Sequence, residues 1–222
     1  MNTFTNSNIS SFTRGAVASS HSVLRNTYFL LSLTLLFSAF TAAYSVITYA
    51  QPGIFTMILA FGLLFAVQAT AESGLGIILT FAFTGVMGYT LGPILGSFFQ
   101  SAMGTSIVCM SLFATSAIFL SLSSYVLISR ENFNYMGGFL MAAITTCFIA
   151  SIGAMVFNMP LLNLITSGGF AIISSALIMF HTSNIIHGGE TNYIRATISL
   201  YVAILNLFVS LLHILSAFSG RD

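Results

Sequence analysis

Residues 27–49 read TYFLLSLTLLFSAFTAAYSVITY, a run of 23 residues without one charged side chain. A bilayer core is crossed by about 20 predominantly apolar residues in an α-helix. The run is therefore long enough to span a membrane, and comparable runs recur along the rest of the chain.

The composition supports the same class of protein. Of the 222 residues, 57% are hydrophobic and 4% are charged, whereas soluble domains have about a quarter charged residues. We therefore predict an all-α integral membrane protein embedded in the lipid bilayer. A net charge of +1 gives no basic surface for nucleic acid. The absence of lysine excludes Schiff-base chemistry and a phosphate-loop lysine.

Charged and turn-forming residues divide the chain into seven apolar segments, each connected to the next by a short polar stretch. The second segment is short and the sixth contains Ser167-Gly168-Gly169. The predicted spans are 27–49, 54–71, 75–97, 104–128, 136–158, 161–180 and 195–218.

Residues 1–26 are rich in Ser, Thr and Asn and poor in large apolar side chains. Such a segment buries too little surface to offset its ordering entropy, so we predict a mobile polar tail followed by a membrane domain over 27–222. The polar segment before the first apolar run is long, and that run is long enough to span a membrane. A secretory signal has neither feature. We therefore expect the first helix to remain in the protein.

The arginines predict the orientation, because short loops that hold Arg stay in the cytoplasm. With seven crossings and a cytoplasmic N-terminus, Arg14, Arg25, Arg130 and Arg195 fall on the inner side and Arg221 alone falls outside. The C-terminus is then periplasmic.

Small residues mark one face of the third span. Gly85, Gly88, Gly92 and Gly96 repeat every three or four residues, which aligns them along a helix. Helices in lipid associate through such residues because they allow close backbone approach. We favour a packing groove, with a pore lining of exposed carbonyls as the alternative.

No carboxylate or arginine lies near the middle of any span, and intramembrane charges are the usual marks of proton relays and ion sites. His181 and His187 are six residues apart, so they do not share a helix face as a metal pair. We predict no cofactor, no metal site and no enzymatic activity. His181 remains open between an interfacial residue and a titratable gate or sensor.

Two segments resemble a known family. Residues 88–95, GYTLGPIL, resemble the Gly-x-x-hydrophobic-Gly-Pro-x-Leu signature of the Bax inhibitor family, in which Pro93 frees a backbone carbonyl and Gly92 loosens the turn before it. Residues 180–197, FHTSNIIHGGETNYIRAT, and 23–34, VLRNTYFLLSLT, are similar to an enterobacterial member of that family. The resemblance covers nearly the whole chain from Val23 onward and implies seven helices, with the last ringed by the other six.

Some members of the family form a pH-sensitive calcium leak with two facing aspartates near the cytoplasmic side. The first belongs to a Phe-Asp-Thr motif, which matches Phe180-His181-Thr182 here, and the second to a Leu-Tyr-Leu-Asp motif, which ends at Ala203 here. Calcium prefers six to eight oxygen ligands, and neither His181 nor Ala203 provides one. The departure argues against carrying the calcium activity over.

The enterobacterial resemblance implies a non-enzymatic modulator of the membrane-anchored ATP-dependent protease FtsH, in the bacterial inner membrane, that is both an inhibitor and a substrate of the protease. The implied partners are FtsH and its HflK/HflC partners. An ATP-driven protease must grip an unpacked segment, so the segment from Met1 to Ser22 is the expected handle. The alternatives are a pH-sensitive cation leak gated near His181 and a structural membrane protein with another partner.

Overall fold

The computed structural model describes the backbone of residues 3–219 and the side chains of residues 21–219. This part of the chain is helical and contains no strand, which confirms the all-α prediction. A short 3-10 turn, Asn134–Met136, precedes the fifth helix. The helices are α1 Thr3–Ile47, α2 Ile54–Thr70, α3 Leu75–Phe99, α4 Gly104–Ser129, α5 Gly137–Val156, α6 Pro160–Ile186 and α7 Tyr193–Ser219.

The helix ends lie within two residues of the predicted spans, except at the start of α1 and the end of α6. The sixth span was expected to end at residue 180, and α6 continues to Ile186. A prediction from hydropathy alone ends this helix too early, because Thr182 and Ser183 are polar. In the structure both side chains are fully buried. His181 therefore lies inside the helix and not at its end.

The first helix also differs from the sequence-based expectation. α1 begins at Thr3 and runs without a break into the apolar segment, where the sequence predicts a mobile polar tail through residue 26. Adding a residue to an existing helix costs much less than nucleating a new one, so an apolar helix can extend into a polar sequence. The mobility and the cytoplasmic location of residues 1–26 stay predictions.

Among the residues that the structure describes, six helices are long and apolar enough to cross a membrane, and α2, with 17 residues, is shorter. The helices on either side of α2 run in the same direction, since Gly88 lies against Ser38 and Gly92 lies against Ser45. Because α1 and α3 are parallel, α2 must return between their opposite ends.

The last helix forms the centre of the bundle. α7 packs against α1, α2, α3, α4 and α6, and Leu200, Tyr201 and Leu207 have no exposed surface. The expectation of a ring of six helices is corrected in one respect: α5 makes no contact with α7 and packs against α6. The first, third, fourth and sixth helices provide most of the wall around α7.

Charged side chains gather at one end of the bundle, which we name the charged end. Arg195 of α7 forms an ion pair with Glu72 at 3.6 Å. The carbonyl of Arg130 lies 3.1 Å from His187 Nε2, and Glu131 and Glu190 lie in the same set of loops. The opposite-end loops, residues 48–53, 100–103 and 157–159, contain no charged residue.

Candidate functional site

The family signature Gly92-Pro93 lies where α3 crosses α1. Pro93 has no backbone N–H, so the carbonyl of Tyr89, four residues earlier, loses its helical hydrogen-bond partner. The Ser45 hydroxyl of α1 donates to this carbonyl at 2.8 Å. The carbonyl that Pro93 frees therefore has a hydrogen-bond donor on the neighbouring helix, and that donor is Ser45.

Gly92 makes this hydrogen bond sterically possible. A Cβ at position 92 would overlap Oγ and Cβ of Ser45. One turn earlier, a Cβ at Gly88 would overlap the Ser38 carbonyl and the Thr41 hydroxyl. The packing interpretation of the glycine series is therefore confirmed at Gly88 and Gly92, while Gly96 has open space beside it.

Tyr201 of α7 extends this junction into the bundle centre. Its hydroxyl donates to the Thr84 carbonyl at 3.2 Å and lies 2.7 Å from Ser38 Oγ. A tyrosine hydroxyl has one proton, so Ser38 is the donor in the second hydrogen bond. The ring also meets Phe83 edge-on, with 6.0 Å between centroids. We name Ser38, Thr84 and Tyr201 the three-helix node.

Sequence reasoning did not single out the three-helix node. A tyrosine within the otherwise apolar stretch Leu200–Leu205 is a usable signal, because a buried phenol usually finds a hydrogen-bond partner. The partners could not be named from sequence, since Ser38 and Thr84 resemble the many other hydroxyl residues of the spans.

The positions that match the two aspartates of the leak-forming relatives, His181 and Ala203, lie on α6 and α7. Thr182 is fully buried, and its hydroxyl lies 3.4 Å from that of Tyr28. His181 is partly buried and meets Phe180 edge-on at 5.3 Å between centroids. Ala203 is 1% exposed. Neither position carries a carboxylate, so the arrangement lacks the oxygen ligands that a calcium ion requires.

At the charged end, Ser183 and His187 fasten the α4–α5 loop to the end of α6. Ser183 Oγ accepts from the Phe133 N–H at 2.9 Å and donates to the Glu131 carbonyl at 3.2 Å. The two ring nitrogens of His187 face the carbonyls of Ser183 at 2.9 Å and Arg130 at 3.1 Å. His187 thus has a structural role that the sequence did not reveal.

Within residues 21–219, no group of three or more His, Cys, Asp or Glu side chains is placed to hold a metal ion. The buried polar side chains in this part of the chain are those of Ser and Thr, and half of them donate to backbone carbonyls of their own helix. Such groups support packing and a narrow polar interior. The candidate handle, Met1 to Ser22, falls almost entirely outside the described side chains.

Comparison with known proteins identifies relatives over almost the full length. A sequence model of the family described as "Inhibitor of apoptosis-promoting Bax1" matches residues 20–220. The Escherichia coli K12 protein named "Modulator of FtsH protease YccA" is 50% identical over 215 residues, 96% of this chain and 97% of that protein. The protein from E. coli O6:H1 named "Inner membrane protein YccA" has the same identity and coverage. A Pasteurella multocida protein is 45% identical over 191 residues, 85% of this chain and 86% of that protein.

Proposed function

The chain belongs to the Bax inhibitor family, and we propose that it is a modulator of the membrane-anchored protease FtsH. The observation that carries the proposal is 50% identity to the E. coli modulator along 96% of the chain. The match covers 215 residues, so it is not confined to one motif or one helix. In this proposal the protein is an inner-membrane partner, not an enzyme.

The proposed mechanism is competition. The protein enters FtsH slowly, occupies it and thereby delays the degradation of other membrane substrates. The segment from Met1 to Ser22 is the handle that FtsH grips, because it precedes the first apolar span and is the longest polar segment of the chain. The HflK/HflC proteins are further partners in this proposal, through their association with the protease.

The proposed topology has seven crossings, including α2. Its 17 residues extend about 25 Å, at the lower limit of a span. The parallel arrangement of α1 and α3 supports a crossing by α2, since the chain has to return to the charged end before α3 begins. The arginines favour a cytoplasmic charged end, with the N-terminus inside and the C-terminus in the periplasm.

Affinity capture from native membranes tests the proposed function. Protein carrying a C-terminal tag is crosslinked in cells, solubilised and purified, with an unrelated seven-helix protein expressed at the same level as the control. We expect FtsH to be the dominant protein enriched over the control, and a membrane substrate of FtsH to persist longer when this chain is overproduced. Equal recovery of FtsH with both baits, or an unchanged substrate half-life, contradicts the proposal.

A further inference from the structure

The first and fourth helices leave an open seam along the side of the bundle. Within the described residues, no Cα of α1 lies within 8 Å of a Cα of α4, although both helices pack against α7. Tyr28 of α1 and Phe119 of α4 come together across this gap, with 5.8 Å between their ring centroids. We name this gap the α1–α4 seam.

At the charged end the seam widens into a cavity of about 570 Å³. Its lining combines basic and hydrogen-bonding groups with apolar ones and contains no acidic side chain: His21, Ser22, Leu24, Arg25, Tyr28 and Leu127. Arg25 is exposed and forms no ion pair within the described part of the chain, where Arg195 is paired with Glu72. The cavity therefore provides a cation beside an apolar wall.

The position of the cavity matches the headgroup layer. Arg25 lies two residues before the apolar run that starts at Thr27. One leaflet of the hydrocarbon core is about 15 Å thick, which corresponds to about ten helical residues. Ten residues beyond Arg25 is Leu35, so the leaflet beside the charged end corresponds to residues 25–35 of α1.

We propose that the α1–α4 seam binds an anionic phospholipid, with the headgroup phosphate at Arg25 and one acyl chain along the seam. A guanidinium matches a phosphate through paired hydrogen bonds, and Ser22 adds a hydroxyl group at the same cavity. The apolar side chains of Leu24 and Leu127 in the lining favour a lipid over a soluble phosphate, because they offer a wall to an acyl chain, which free phosphate lacks. Basic pockets between membrane helices are a known kind of lipid headgroup site.

Quenching of tryptophan fluorescence by a brominated lipid tests this site. The chain contains no tryptophan, so a single introduced tryptophan is the only one in each variant. The variant Leu127→Trp places the fluorophore in the cavity. The variant Phe139→Trp places one on the lipid-facing side of α5, where Phe139 is 70% exposed, near the same end of the bundle. Each protein is reconstituted in phosphatidylcholine vesicles containing a minor fraction of phosphatidylglycerol with brominated acyl chains.

We expect brominated phosphatidylglycerol to be enriched about fivefold at residue 127 relative to residue 139, the size expected for one arginine at an anionic lipid. Arg25→Gln in the Leu127→Trp background removes the enrichment. Arg130→Gln, which removes the same charge from the same end but not from the cavity, leaves it unchanged. Leu24→Trp gives a second reporter on the opposite wall if the tryptophan at 127 disturbs folding.

Three results would overturn the proposal. One is equal quenching at residues 127 and 139. Another is an equal loss of enrichment in Arg25→Gln and Arg130→Gln, which reveals general surface attraction and no site. The third is displacement of the brominated lipid by excess inorganic phosphate, which assigns the cavity to a soluble anion.

Discussion

Ser38 and Tyr201 are 163 positions apart in the sequence, and their side-chain oxygens lie 2.7 Å apart at the centre of the bundle. Through Tyr201 the same hydrogen-bonded group reaches the Thr84 carbonyl of α3 at 3.2 Å. One phenol therefore fixes the position of α7 relative to both α1 and α3. In lipid this matters because apolar side chains alone do not press helices together.

Tyr201→Phe is expected to lower the free energy of unfolding, because it leaves the Thr84 carbonyl and the Ser38 hydroxyl without their partner. Hydrogen bonds between membrane helices contribute about 0.6–1.7 kcal/mol. A double-mutant cycle with Ser38→Ala, measured by denaturation in mixed micelles, should give a coupling energy of about 1 kcal/mol. Strictly additive effects would show that the two hydroxyls do not interact.

Gly92→Ala is expected to destabilise the protein by about 1–3 kcal/mol, the usual cost of overpacking, because the new Cβ would overlap the Ser45 side chain. Gly96→Ala is the matched control, since nothing lies within 4 Å of its Cβ position and the helix propensity gained is the same. Thermal unfolding in detergent measures both. Equal changes in the two variants would show that the Gly92 contact is unimportant.

Reconstituted protein is expected to pass little calcium, because His181 and Ala203 occupy the positions at which leak-forming relatives have aspartates. The measurement is a calcium-sensitive dye sealed inside liposomes, with empty vesicles as the control. Acid-inhibited influx by the unaltered protein would contradict the prediction. The double variant His181→Asp with Ala203→Asp should increase the influx if the motif positions correspond.

The proposed topology places the loop at 50–53 in the periplasm and the loop at 72–74 in the cytoplasm. Reporter fusions that are active only outside the cytoplasm should therefore be active at Gly53 and at the C-terminus and inactive at Gly74 and after Arg130. Fusions at Gly53 and Gly74 with the same activity would mean that α2 does not cross. Complete reversal of the pattern would overturn the orientation.

Removal of most of the segment from Met1 to Ser22 is expected to spare binding to FtsH and to block the start of degradation. The shortened protein should then be long-lived and should protect other membrane substrates. A chase of both forms in cells with and without FtsH measures this. Equal decay of both forms whenever FtsH is present would exclude the segment as the handle.

The sequence predicts the helices well, because their ends coincide with turns and polar residues that interrupt hydropathy, as at Gln51-Pro52-Gly53. It also predicts the glycine face of α3, since spacing determines which residues share a side. It fails where tertiary contacts satisfy polar groups. The residues around Thr182 look like a helix end until burial of Thr182 and Ser183 is known.

The candidate site was predictable in part for a related reason. Proline has no backbone N–H, so Pro93 indicates from the sequence alone that one carbonyl of the helix lacks its usual donor. The need for another donor could therefore be stated in advance. That the donor is Ser45 depends on which face of α1 meets α3. No local pattern distinguishes Ser45 from the other hydroxyls of that helix.

The placement of charge at one end has a consequence for removal of the protein from the membrane. With the charged end in the cytoplasm, the loops that must be drawn back through the hydrocarbon are 48–53, 100–103 and 157–159, none of which carries a charge. A charged residue costs about 2.5–3.5 kcal/mol at the centre of a membrane helix. In the proposed topology, a cytoplasmic motor pulling from the N-terminus would therefore draw these three loops through the membrane without that electrostatic cost.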